Sequence, residues 1–254
     1  MIAVTSASAL TSACPWRGRL RLWSACLAAV ANHMPRTMQL YNYFRSSASF
    51  RVRIALELKG LSYDYLSVHL QRNEQKSAAF AARNPLELVP LLVDGEQTIS
   101  QSLAIIEYLD ETHPEPALLP ADALGRARVR SLALDIACEI HPLDNLRVLR
   151  YLVKNLGVSE DAKNTWYRHW VDTGLAALEK RLAHDLASGV HAGPFCHGAT
   201  PTLADCVLVP QIFNAQRFNC SLTGLPTVMG VFEACMVLPA FQAAQPSRCP
   251  DNEA

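Results

Sequence analysis

From residue 38 onward, short apolar runs give way to longer stretches of helical period. Met38 to Tyr43 reads as a first strand, and after Phe44 to Ser47 the positions Val52, Ala55, Leu56 and Lys59 recur at helical spacing until Gly60 ends the run. Tyr63 to Leu70 is β-rich enough for a second strand, with a short polar helix expected before Asn84-Pro85. A parallel pair joined by a crossover helix is right-handed. Leu91-Leu92-Val93, Asp94-Gly95 and Gln97-Thr98-Ile99 then read as strand, tight turn and antiparallel partner. Ser100 or Ser102 is placed to cap the next helix, where Leu103, Ile106 and Leu109 recur up to Thr112. The predicted order is β-α-β, hairpin, helix.

The pattern changes after residue 112. His113 to Leu124 holds Pro114, Pro116 and Pro120 without helical or strand period and reads as a linker. Beyond Gly125 no strand is expected: Arg126 to Leu156, Glu160 to Ala187 and Leu203 to Phe218 all carry helical period, with Pro142 kinking the first. Thr202-Leu203-Ala204-Asp205 matches a capping box at the start of the third. The expected fold class is α+β in two domains: a mixed α/β unit at 38–112, a linker at 113–124 and an all-helical unit at 125–254.

Residues 1–37 contain no acidic residue, are rich in serine and alanine, and carry Arg17, Arg19, Arg21 and Arg36. They are set outside the fold as a disordered leader or an over-extended start, with a transit peptide or a secretory signal ending in Ala29-Val30-Ala31 as the competing readings. No run reaches the apolar length of a membrane span. Lysine plus arginine and aspartate plus glutamate balance at 23 each, which argues against nucleic acid or an acidic membrane held by overall charge. An anionic ligand must therefore be held by local arginines and backbone donors. The eight cysteines lie apart with no C-x-x-C pair, so free thiols in a reducing compartment, the cytoplasm, are expected. Cys138 and Cys206 fall on apolar helical faces and read as core. His191, Cys196 and His197 have irregular spacing on a Gly/Pro-bearing loop, and no metal site is expected.

Three clusters carry candidate chemistry. Phe44-Arg45-Ser46-Ser47 places hydroxyls at a strand-to-helix junction, where free amides and the helix dipole favour an anion or a thiolate; the alternative is that both serines only cap the helix. Val89-Pro90 precedes a strand, where a cis bond would present its backbone to an extended ligand, although trans is the default for X-Pro. Gln101-Ser102 opens a second helix on the same sheet edge, either holding a ligand carboxylate or serving as a cap alone.

These residues resemble a known family. Tyr43-Phe44-Arg45-Ser46-Ser47, Arg51-Val52-Arg53-Ile54-Ala55-Leu56, Asn84-Pro85, Val89-Pro90 and Gln101-Ser102-Leu103-Ala104-Ile105-Ile106-Glu107-Tyr108-Leu109 are similar to the zeta class of glutathione transferases. The likeness continues through His141-Pro142-Leu143-Asp144-Asn145-Leu146-Arg147, Pro201-Thr202-Leu203-Ala204-Asp205 and Arg217-Phe218, and it leaves out the leader.

The resemblance implies a thioredoxin-like glutathione-binding domain, an all-helical domain for the second substrate, and a homodimer. It implies cis-trans isomerisation of maleylacetoacetate in tyrosine and phenylalanine breakdown. The alternatives are maleylpyruvate, a broader transferase or dehalogenase activity, and a non-catalytic relative. By resemblance, Ser47 donates to the glutathione sulfur; Ser46, Gln75, Val89, Gln101 and Ser102 contact the cofactor, and His141, Asn145 and Arg147 lie near it. The substrate is a dicarboxylate, for which Arg45 and Arg217 are the candidate forks, against a structural ion pair for Arg45 and a helix-end surface role for Arg217. His141 before Pro142 is equally readable as a packed kink residue. Two departures stand out: Ala48, where many eukaryotic members have cysteine, and Asp144, where bacterial relatives have asparagine. With Ala48, the nucleophile of the expected chemistry is the cofactor's thiolate rather than a protein thiol.

Overall fold

A computed structural model describes residues 37–190 and 192–253. The leader reading therefore concerns residues that, apart from Thr37, lie outside the described part, as does His191. From Thr37 onward the chain forms one compact unit.

Strand β1 (Met38–Asn42) is central, and its alternate residues Met38, Leu40 and Asn42 are buried. β2 (Tyr63–Ser67) pairs with it in parallel, β3 (Leu91–Asp94) antiparallel, and β4 (Gln97–Ser100) closes the order β2-β1-β3-β4. Leu40 faces Tyr65 on one side and Leu92 on the other. α1 (Ser47–Leu58) crosses from β1 to β2 and ends as its sequence predicts. Gly60, at φ 63°, lets its own amide reach Glu57 O and that of Leu61 reach Leu56 O. The hairpin turn is Gly95-Glu96 rather than Asp94-Gly95, because Asp94 still pairs with Gln97.

Three local expectations change. β2 stops at Ser67, and His69 accepts the Arg72 amide to start a 3-10 turn, Leu70–Arg72. The expected polar helix is that turn, a second at Glu74–Lys76, and the single-turn α2 (Ala78–Ala81), with left-handed Asn73 (φ 61°) between the turns. Neither Ser100 nor Ser102 caps α3 (Ser102–Thr112): the cap residue is Gln101, without a capping side-chain bond.

The first long helix is also divided, into α4 (Ala123–Ala137), α5 (His141–Asp144) and α6 (Leu146–Lys154). Pro142 sits in the first turn of α5, where its missing N–H costs nothing, so it starts a helix instead of kinking one. Asn145 caps α6 by accepting the Val148 amide at 3.1 Å. α7 (Glu160–Ala187) has the predicted limits, and α8 (Leu203–Arg217) begins in the capping box of Thr202 and Asp205. α9 (Pro226–Met236) and α10 (Pro239–Ala243) were missed; their signal is proline at the first helical position. Cys206 is buried as expected, but Cys138 closes α4 and is exposed; the six described cysteines are free thiols.

α1 lies against α3, α8 and α10, so Phe50 and Ile54 share one apolar core with Leu92, Ile105, Val171 and Leu208. A smaller cluster of Tyr43, Phe44, Val68, Phe80, Val89 and Leu91 supports the other side of the sheet. The ammonium of Lys59, its side chain fully buried, bonds Asp110 Oδ1 at 2.9 Å, His113 O at 2.7 Å and Pro116 O at 2.9 Å, tying the end of α1 to the proline-rich segment. Lys59→Met takes the ammonium from His113 O and Pro116 O and the counter-ion from Asp110, which keeps only the Leu118 amide on Oδ1, and should lower unfolding free energy by about 3 kcal/mol in urea titrations.

Candidate active site

The loop after β1, Val89-Pro90 before β3, the end of β4, the first turns of α1 and α3, helices α5 and α6, the first half of α7 and the end of α8 surround a cavity of about 860 Å³. Every residue singled out from sequence lines it: Arg45, Ser46, Ser47, Gln75, Val89, Gln101, Ser102, His141, Asn145, Arg147 and Arg217. Their individual geometry separates the alternatives.

The two serines divide the roles left open above. Ser46 is the cap of α1, its Oγ accepting the Ser49 amide at 3.2 Å. Ser47 is the first helical residue, 5 % exposed, and its Oγ lies 3.0 Å from His141 Nδ1. Burial, with the charges of Arg51 and Arg147 acting in the same sense, pushes the His141 imidazole down to about 3, so the ring is neutral at physiological pH. In the tautomer with the proton on Nδ1 the ring donates to Ser47 Oγ and leaves the hydroxyl hydrogen free to serve the cavity, whereas in the Nε2 tautomer Nδ1 accepts that hydrogen. His141 is thus more than a packed kink residue.

Gln75 stands on the second 3-10 turn, buried, with its Oε1 lacking a partner. Val89 precedes a peptide bond that is cis, against the default expectation; the small intrinsic X-Pro preference leaves the isomer to tertiary context. Gln101 holds φ 72° and ψ 116°, a sparsely populated conformation for a residue with a side chain, and turns the N-terminus of α3 into the cavity wall. Asn145 spends its side-chain oxygen on its own helix cap.

The cations are arranged for an anion. Arg45 Nη2 donates to Tyr43 Oη at 3.1 Å, with its guanidinium 5.0 Å from the centre of the Phe44 ring. Arg217 lies 4.9 Å from the Phe218 ring centre, and burial, together with neighbouring Arg45, lowers its pKa from the usual value. Among the described residues none of Arg45, Arg147 and Arg217 is in an ion pair. The structural ion pair for Arg45 is therefore absent.

Two cavity residues escaped the sequence reading as site groups. Arg51, one helical turn after Ser47, is 2 % exposed; its Nη1 donates to Ser102 Oγ at 3.2 Å, while Nε and Nη2 have no partner and burial lowers it to about 10. The i, i+4 spacing from Ser47 was the available signal. Asp144 has both carboxylate oxygens buried and unpartnered, and burial raises its carboxyl to about 8, so it is largely protonated at neutral pH. These unpaired donors and acceptors, with two helix N-termini, fit an extended, anionic, amide-bearing ligand such as glutathione. Among the described residues no group of His, Cys, Asp and Glu is placed to hold a metal, and no helix is long and apolar enough to cross a membrane.

The profile described as "Glutathione S-transferase, N-terminal domain" matches residues 36–111. A Vibrio cholerae protein named "Probable maleylacetoacetate isomerase" is 50 % identical over 84 % of this chain and 97 % of its own length. The solved "Holo structure of Maleyl Pyruvate Isomerase, a bacterial glutathione-s-transferase in Zeta class" is 50 % identical, covers 84 % of this chain and 99 % of that one, and superposes with TM-score 0.81. The chain belongs to the zeta-class glutathione transferases. A maleylacetoacetate isomerase from Anaeromyxobacter dehalogenans, solved with glutathione in its active site, is 47 % identical over 85 % of this chain and 98 % of that one, at TM-score 0.75. For this glutathione transferase the thioredoxin-like sheet with its helical remainder is the family architecture, and the cavity lies where the two meet.

The buried imidazole gives a test of its own. Between about pH 6.5 and 3 the unfolded chain binds a proton at His141 that the folded transferase does not, so stability falls as pH drops through that window. Urea unfolding at pH 7 and pH 4.5 should show a smaller pH-dependent loss for His141→Gln than for the wild type.

Proposed function

We propose that this zeta-class enzyme isomerises maleylacetoacetate to fumarylacetoacetate, a step of tyrosine and phenylalanine breakdown, with maleylpyruvate as the competing, shorter substrate. The observation that carries the reading is the Ser47–His141 pair at the start of α1, in a cavity edged by arginines without counter-ions. Relatives of comparable similarity bear the names of both isomerases.

Glutathione, when bound, supplies a thiol that adds reversibly to the activated cis alkene and leaves a single bond about which it can turn. Ser47 provides a hydroxyl hydrogen bond and α1 its N-terminal dipole at one place, which together favour a negatively charged sulfur. His141 orients that hydroxyl and, being neutral, adds no competing charge. Ser46, Gln75, Val89, Gln101 and Ser102 hold the cofactor's backbone and carboxylate, with His141, Asn145 and Arg147 closing the helical side. Arg45 and Arg217 receive the carboxylates of the substrate. Ala48 leaves no protein thiol beside Ser47, in keeping with a nucleophile that comes with the cofactor.

This division of labour goes with a glutathione-binding domain at 38–112, a linker at 113–124 whose last two residues already belong to α4, and a substrate domain from 125. A cytoplasmic homodimer is the proposed working form, and the absence of disulfides among the described cysteines supports a reducing compartment.

Purified protein should convert both cis substrates to trans products only when glutathione is present, with the larger kcat/KM on maleylacetoacetate. No turnover of either would leave a binding protein with this fold. Removing one donor of this kind costs on the order of 100-fold in kcat, so Ser47→Ala should lose about that much while glutathione affinity stays within about 3-fold. Arg217→Met should raise KM for the dicarboxylate at least about 10-fold, the worth of a charge-assisted hydrogen bond.

A further inference from the structure

The segment that follows α10 folds back to the far side of the sheet. Ala244 O accepts from Arg53 Nε at 3.0 Å, and the same buried guanidinium donates to Asn42 Oδ1 and to Phe44 O, each at 3.1 Å. Further along, Asp251 Oδ2 accepts the Phe44 amide at 3.2 Å and Ser67 Oγ at 2.9 Å, and its Oδ1 accepts from Tyr65 Oη. Burial and this bond raise the Tyr65 phenol, which keeps it a donor at any working pH. Both peptide groups of Phe44, the N–H and the C=O, are thus held from residues some 200 positions away or through a guanidinium bonded to them. Only Arg45 and Ser46 separate Phe44 from Ser47.

We propose that Asp251 is a positioning residue for the sulfur side of the site. Resting on the function proposed above, it sets where Ser47 Oγ stands against His141 by fixing the Phe44 peptide. The side chain of Ser47 points from the first turn of α1, and that turn begins where the loop delivers it: Ser46 N bonds Tyr43 O at 2.9 Å and Phe50 N bonds Ser46 O at 2.9 Å. A loop this short has no slack to absorb a shift at Phe44. Phe44 is 5 % exposed, so loss of Asp251 leaves an amide with little access to water, and the loop moves to satisfy it. Glu253, bonding His69 Nε2 at 3.2 Å and Arg72 at 2.5 Å, holds the turns that lead to Gln75 in the same manner.

Three variants separate positioning from bulk stability. Asp251→Ala removes all three contacts; Asp251→Asn keeps an acceptor for Phe44 N–H and can donate to Tyr65 Oη; Tyr65→Phe with Ser67→Ala removes the carboxylate's other two donors and spares Phe44. Each is read by hydrogen–deuterium exchange of the 44–50 peptide in ligand-free protein, by thermal midpoint, and by kcat and KM. Because small misplacements are costly, Asp251→Ala should lower kcat at least about 10-fold with KM for the dicarboxylate within about 2-fold, and should speed exchange of the peptide. Asp251→Asn should restore kcat to within about 3-fold of wild type. The double variant should lower the thermal midpoint while leaving kcat and the exchange unchanged. Asp251→Ser serves in place of the alanine variant should that one not fold. The proposal is overturned if Asp251→Ala loses only thermal midpoint, or if the double variant reproduces its kcat loss. Absence of turnover in the wild type would sink the proposed function instead, and the exchange comparison would still decide whether Asp251 holds the loop.

Discussion

The hydrogen bond between Ser47 Oγ and His141 Nδ1 joins the first residue of α1 to the first residue of α5, 94 positions apart in sequence. Each end is fixed by its own local chemistry: Ser46 as cap of α1, Pro142 in the opening turn of α5. A bond 3.0 Å long across that separation requires the sheet unit and the helices to be packed in one relation, which the shared core from Phe50 to Leu208 supplies. Burial, then the charges of Arg51 and Arg147, hold the imidazole in its neutral form at physiological pH. The hydroxyl is therefore oriented by a group that brings no charge of its own.

That neutrality matters because the surrounding charges are unbalanced on purpose of binding. Arg45, Arg147 and Arg217 edge the cavity without carboxylate partners, and Arg51 sits behind Ser102 with two unpaired nitrogens. Asp144, the one carboxyl buried among them, is largely protonated at neutral pH and does not cancel them. A cavity so biased is complementary to a ligand that carries several carboxylates, which glutathione and a dicarboxylate together do.

Much of this was legible in the sequence where short-range rules apply. Gly60 ended α1, the two apolar runs around Gly95 paired, and the Thr202–Asp205 box opened α8, because each rests on backbone geometry within a few residues. Local rules alone do not divide Ser46 from Ser47, since both are good caps; the family resemblance assigned the sulfur to Ser47, and the structure adds the Ser46 cap bond and the Ser47–His141 contact. The cap of α3, expected at Ser100 or Ser102, was misplaced for a related reason: the strained backbone that makes Gln101 the cap is imposed by the fold, and no local preference points to it. Arg51 looked like an ordinary helical residue, and Asp144 stood out only as a departure from asparagine; what burial does to their charges shows only in the fold. The two late helices carried their proline signals openly, but short helices without caps are weak in period and were passed over.

The most direct test of the claim that Ser47 and the α1 terminus hold a negatively charged sulfur is to titrate the ultraviolet thiolate absorbance of glutathione bound to the wild type and to Ser47→Ala. In the wild-type complex the thiol should ionise below the ~8.5 of a free thiol, and in the variant it should return toward that value. An unshifted thiol in the wild type, or the same lowered value in both proteins, would contradict it.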